Sequence, residues 1–135
     1  MMKAMRVLIA DDMHESILPL LRDAGYDPVY LPVIDREGIL AIIHEFDGLI
    51  IRSKTNVDKE LIDATSHLKF VARAGAGVDQ VDLDYLNEKG IKMINAPEGN
   101  RDALGEQVLG MLLSLLHRIT ISHIQVSHGI WDRSV

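Results

Sequence analysis

Residues 70–94 read FVARAGAGVDQVDLDYLNEKGIKMI, and this stretch decides the fold. It opens on a short run, Phe70–Ala74, whose composition suits a buried strand. Gly75-Ala76-Gly77 interrupts that run. Asp82–Lys89 then carries helical periodicity, and Gly90 is placed to close the helix in a left-handed conformation. Ile91–Ile94 is a second apolar run. Strand, glycine turn, helix and strand in that order predict a β-α-β unit. Its strands must run parallel, because the helix carries the chain back to the starting edge.

The same rhythm fills the chain before it. Val7–Ala10, Val29–Leu31 and Leu49–Ile51 read as strands. Ser16–Ala24, Arg36–His44 and Asp58–Ala64 read as the helices between them. Gly25 closes the first of these helices, and Asp35 is a suitable N-cap for the second. Alternating strands and helices predict a parallel sheet covered on both faces. The fold class expected is therefore α/β: a flavodoxin-like, doubly wound, five-stranded parallel sheet over residues 1–100. Asn100, another capping type, then introduces what reads as one long helix from Arg101 to about His123.

Composition removes several classes of function. The 135 residues are 47% hydrophobic and 25% charged, which is ordinary for a globular domain. A formal net charge of −6 disfavours a nucleic-acid partner. With no cysteine, disulfides, thiolate metal sites and cysteine nucleophiles are excluded. Val7–Ala10 is too short for a signal peptide, and Val108–Leu116 falls far short of the roughly 20 residues of a membrane span. A cytoplasmic protein without a membrane partner is expected. None of the six histidines pairs with another at the i, i+4 spacing of metal ligands, so no metal site is expected.

The last helix raises its own question. Val108, Leu109, Met111, Leu112, Leu113, Leu115 and Leu116 point all around its axis. A helix apolar on every side needs cover on every side. Either a second subunit or further chain would supply it, and residues 104–126 are the expected contact of a homo-oligomer.

In open parallel sheets, ligands bind beyond the carboxyl ends of the strands. Asp11 and Asp12 follow the first strand; Arg52, Ser53, Lys54 and Thr55 follow the third. Arg73 lies near the end of the fourth, followed by Gly75, Ala76 and Gly77. Asn95, Ala96, Pro97 and then Asn100 follow the fifth. Glycines here let backbone N–H groups approach a ligand or adopt positive φ, and successive exposed N–H groups bind anions. Arg52 and Lys54 add positive charge. The set predicts a small site for an anionic ligand. Arg73 is either a member of that site or the partner of a nearby carboxylate. Gly75-x-Gly77 also starts like a dinucleotide fingerprint, but Gln80 stands where the third glycine belongs, so it is not read as an NAD site.

Two resemblances sharpen this reading. Val7-Leu8-Ile9-Ala10-Asp11-Asp12 resembles the opening of a response-regulator receiver domain. That family requires an aspartate where Arg52 stands and a Lys-Pro pair where Asn95-Ala96-Pro97 stands, so phosphotransfer is rejected. Asp11 and Asp12 are then expected to act as turn and helix-capping acids. The second resemblance covers almost the whole chain. Ile51-Arg52-Ser53-Lys54-Thr55, Leu68–Asp79 with its Arg73-Ala74-Gly75-Ala76-Gly77 core, Asn95-Ala96-Pro97, Asn100, Glu106 and Gly129-Ile130-Trp131 resemble, in order, motifs of the D-isomer-specific 2-hydroxyacid dehydrogenases. Within that family the chain is most similar to the phosphoglycerate dehydrogenases.

The resemblance implies an NAD-dependent oxidoreductase acting on a small 2-hydroxy or 2-oxo acid, with residues 1–100 as its substrate-binding domain. It implies that Gly75, Ala76 and Gly77 offer N–H groups to the substrate carboxylate. Arg52, Ser53 and Asn100 would surround the far, phosphate-bearing end, and Arg73 is carried as a further candidate. The family's acid–base histidine, its carboxylate partner, its catalytic arginine and its cofactor-binding glycines correspond to positions beyond Val135. No catalytic residue is therefore assigned in this chain, and NAD is expected in the parent enzyme rather than on this chain alone. Residues 101–135 would be the interdomain helix and the start of the NAD-binding domain. The alternative is a free-standing anion-binding module of flavodoxin type, with a degenerate receiver domain behind it.

Overall fold

The computed structural model describes residues 4–133. The chain divides into two compact units, Met1–Pro97 and Glu98–Val135. The first contains strands β1 (Arg6–Ile9), β2 (Asp27–Tyr30), β3 (Gly48–Ile51), β4 (Phe70–Arg73) and β5 (Lys92–Ile94). Between them lie helices α1 (Ile17–Asp23), α2 (Arg36–Ile42), α3 (Lys59–Asp63) and α4 (Leu83–Glu88). All pairings are parallel and the order is β2-β1-β3-β4-β5. This is the doubly wound, flavodoxin-like arrangement that the alternating pattern predicts.

The two-residue period of the strands separates two cores. Leu8, Leu49, Ile51 and Val71 face one side, where they pack with Ile39 of α2, Leu61 and Ile62 of α3, and Leu86 of α4. Val7, Ile9 and Ile50 face the other, against Ile17, Leu18 and Leu21 of α1. β3 is buried along its whole length, as befits a central strand covered on both faces.

Local chemistry sets the ends of the helices. Asp35, Asp58 and Asp82 accept hydrogen bonds from the N–H groups of Gly38, Leu61 and Tyr85 at 2.8, 3.1 and 3.0 Å. Gly25 and Gly90 close α1 and α4 at φ of +86° and +71°. Ser16 precedes α1 without capping it; its hydroxyl lies 2.9 Å from His14 Nδ1 instead.

The second unit corrects the expectation of one long helix. α5 (Arg101–Leu116) stops, and α6 (Ile119–Ser127) begins after a left-handed Arg118 at φ +51°. The His117 and Arg118 N–H groups close α5 on the carbonyls of Leu113 and Leu115, and the Arg118 carbonyl accepts the first bond of α6 from Ser122. A glycine or asparagine at such a turn is the usual sequence signal; arginine hides it. The expected cap at Asn100 is also absent. Its carbonyl accepts from Leu104 N–H, but its side chain caps nothing. No residue of α5 or α6 is buried. Among the described residues, no helix is long and apolar enough to cross a membrane.

Two substitutions test this architecture. A Cβ on Gly48 would overlap the Phe70 ring, so Gly48→Ala is expected to cost about 1–3 kcal/mol of stability in urea unfolding. Arg118→Gly relieves a left-handed side chain and is expected to stabilise the turn by roughly 0.5–1 kcal/mol, after the entropy cost of glycine. Thermal unfolding followed by circular dichroism reads the gain; a loss of helix signal would mean that Arg118 itself holds the turn.

Candidate anion-binding site at the carboxyl edge

The strand order reverses between β1 and β3, which makes the gap between their carboxyl ends the switch point of the sheet. Asp11 follows β1 there and is only 2% exposed. Its Oδ2 accepts from the N–H groups of Arg52 at 2.6 Å and Lys54 at 3.0 Å. Its Oδ1 accepts from the Thr55 hydroxyl at 2.7 Å. The β3–α3 loop is thus wound around one carboxylate. Asp11 is an anchor of that loop and not the helix-capping acid expected from the sequence.

Burial alone would raise the Asp11 pKa. The bonds from the Thr55 hydroxyl and from the Arg52 and Lys54 N–H groups together outweigh it and hold the carboxyl below the usual carboxylate range. The anchor is complete at neutral pH and is lost as the pH falls through that depressed value. Asp12 is not a cap either: its Oδ1 accepts from the Tyr30 hydroxyl at 3.0 Å, which ties the β1–α1 loop to β2.

Arg73 joins the β3–α3 loop to the glycine turn. Its Nε donates to the Arg52 carbonyl at 2.8 Å and its Nη1 to the Gly77 carbonyl at 2.7 Å. Neither sequence alternative describes it fully, because both bonds go to backbone carbonyls. Gln80 Nε2 donates to the same Arg52 carbonyl at 2.8 Å. Neither Gly75 nor Gly77 adopts a positive φ. At Gly75 a Cβ would lie 2.7 Å from Arg73 Nη1, so a larger residue would displace the guanidinium end of that side chain.

The carbonyls of the turn are all occupied. Gly75 O accepts from Ala96 N–H at 3.0 Å, Ala76 O from Asn95 Nδ2 at 2.8 Å, and Gly77 O from Arg73. The Gly75 N–H is used within the turn, bonded to the Arg73 carbonyl at 2.9 Å. The N–H groups of Ala76 and Gly77 have no protein acceptor among the described residues. A turn fixed through its oxygens and open through its nitrogens presents positive charge.

Arg52 and Ser53 are exposed, and their side chains have no partner among the described residues. Arg52 lines a shallow cleft of about 400 Å³ with Met13, His14, Ile17 and Ala74. Lys54 keeps its charge but its Nζ is tied down, donating to the carbonyls of Pro32 and Ile34, both at 2.9 Å. The structure thus brings Arg52, Ser53, Arg73, Gly75, Ala76 and Gly77 to one edge of the first unit. Asn100 lies in the second unit, and Glu106 is exposed on α5. The sequence reading missed Asp11 as an anchor and Gln80 as a brace. An acid ending the first strand opposite a Ser-x-Thr loop was the available sign of the former.

Among the described residues, no cluster of histidine, aspartate or glutamate could hold a metal. The glycine turn also lacks the features of a dinucleotide fingerprint. The third glycine is replaced by Gln80, whose side chain is committed to the Arg52 carbonyl. α4 begins only at Leu83, beyond the isolated bridge between Val57 and Val81. The glycine turn therefore does not open directly onto a helix N-terminus as a pyrophosphate site requires. What the edge offers is a guanidinium, a hydroxyl and two backbone donors, all suited to a small anion.

Residues 7–111 match the model of the D-isomer specific 2-hydroxyacid dehydrogenase catalytic domain. A D-3-phosphoglycerate dehydrogenase of Bacillus subtilis is 37% identical over 130 residues, which are 96% of this chain and 24% of that protein. Its counterpart in Rattus norvegicus is 35% identical over 128 residues, 95% of this chain and 24% of the relative. The chain therefore spans about a quarter of the length of the curated relatives it matches. Among solved structures, an NAD+-bound 3-phosphoglycerate dehydrogenase of Entamoeba histolytica is similar with a TM-score of 0.69 and 29% identity, over 83% of this chain and 39% of that one. A Pyrococcus horikoshii protein shares the fold at a TM-score of 0.88 and 22% identity, over 98% of this chain and 39% of that one. By sequence and by fold, this chain belongs to the D-isomer specific 2-hydroxyacid dehydrogenase family.

Proposed function

We propose that this chain is the substrate-side half of an NAD-dependent dehydrogenase that interconverts 3-phosphoglycerate and its 2-oxo product. The observation that carries the reading is the pairing, on one edge, of an unpartnered Arg52 guanidinium with the open N–H groups of Ala76 and Gly77. The substrate carboxylate is received by those N–H groups. Arg52 and Ser53 receive the phosphate, for which a planar guanidinium is well suited. Arg73 acts from behind, by fixing the distance between the two loops. The names of the curated relatives support this choice of substrate.

In this reading the chain binds and orients, while residues outside it hold the nicotinamide cofactor and move the proton and hydride. The chain alone is then inactive and does not bind NAD. The apolar surface of α5 and α6 has a role as well. Leu115 is 75% exposed and Leu116 67%, and such a continuous apolar surface marks a contact. It is covered by a second copy of the chain, giving a homo-oligomer through residues 104–126.

Calorimetric titration of the purified chain tests the site. 3-Phosphoglycerate is expected to bind, NADH is not, and Arg52→Ala is expected to weaken the former by about tenfold or more. Saturable NADH binding would place the cofactor site in this chain and overturn the division of roles. Sedimentation at micromolar concentration tests the oligomer; a monomer would remove the contact through 104–126.

A further inference from the structure

We propose that Asp11 is a positioning residue that sets the preference of this edge for ligands carrying a second anionic group. The inference rests on the function proposed above and deepens it.

The two ends of the ligand are served by loops that share the Arg73 link but are otherwise fastened by different groups. Asp11 bonds to the β3–α3 loop alone, at Arg52, Lys54 and Thr55. None of its bonds reaches the glycine turn. That turn is held by Asn95, Ala96 and Arg73 through its three carbonyls. Removing the carboxylate would leave two N–H groups and a hydroxyl without their acceptor, so the loop would loosen. Arg52 and Ser53 would lose their place, while the bonds from Asn95 and Ala96, which do not pass through that loop, would keep the N–H groups of Ala76 and Gly77 in theirs. The loss should therefore fall on the far end of the ligand and spare the carboxylate end.

Asparagine separates placement from charge. Its carbonyl oxygen accepts from the Arg52 and Lys54 N–H groups, and its amide donates to Thr55 Oγ1, because a hydroxyl also accepts. Asp11→Asn thus retains the loop and removes the charge, whereas Asp11→Ala retains neither.

The test is an amide NMR titration of the chain and its variants with 3-phosphoglycerate, which has two anionic groups, and D-lactate, which has one. Asp11→Ala is expected to weaken 3-phosphoglycerate about tenfold or more and to leave D-lactate within about twofold of the unsubstituted chain. Asp11→Asn is expected to bind both nearly as the unsubstituted chain does. An equal loss of both ligands in Asp11→Ala, no loss of either, or an Asp11→Asn that behaves like Asp11→Ala would each overturn the positioning role. If circular dichroism shows that Asp11→Ala does not fold, Thr55→Val serves instead. It removes one donor to the carboxylate at nearly constant shape and should show the same bias, smaller in size; an equal loss of both ligands would overturn the proposal. Failure of the unsubstituted chain to bind either ligand would be seen before any variant is compared. It would overturn the proposed function itself, and this inference with it.

Discussion

The buried carboxylate of Asp11 is the interaction on which the candidate site depends. A charge so deeply enclosed is tolerated only with good hydrogen-bond partners, and Asp11 has three donors from one loop. Its position follows from topology. β1 and β3 are neighbours whose connections leave in opposite directions, so the space between their carboxyl ends is open to a loop or a ligand. Asp11 fills the base of that space and turns the β3–α3 loop so that Arg52 and Ser53 stand at its rim. From there the order passes along the sheet edge, from the Arg52 carbonyl to Arg73 and Gln80, and from Arg73 to the glycine turn.

The result is an edge with separated duties. Side chains whose polar atoms are spent on the protein, such as Lys54, Arg73, Gln80 and Asn95, hold the loops in place. The Arg52 and Ser53 side chains and the N–H groups of Ala76 and Gly77 have no protein partner among the described residues. Sequence proximity does not predict this split. Arg52 and Lys54 are two residues apart, yet one cation is open and the other is bound to the β2–α2 loop.

Much of the first unit was legible in the sequence because its signals are local. The short apolar runs, the capping aspartates at 35, 58 and 82, and the closing glycines at 25 and 90 act within a few residues of themselves. The residues gathered at the carboxyl edge were legible because parallel topology places every strand end on the same side. What escaped was long-range or disguised. Asp11 reaches residues more than forty positions away, and only the folded chain reveals it. Gly75 was expected to bring its N–H to a ligand or adopt positive φ, but it has no positive φ and a Cβ there would meet the Arg73 guanidinium. The break after α5 was hidden because an arginine occupies a left-handed position that glycine or asparagine usually marks.

The most direct test of the central claim is a crystal structure of the chain with 3-phosphoglycerate bound. The account predicts the carboxylate on the N–H groups of Ala76 and Gly77 and the phosphate on the Arg52 guanidinium, with the Asp11 bonds unchanged. A ligand seated away from this edge, or held by Arg52 with the glycine turn empty, would contradict it.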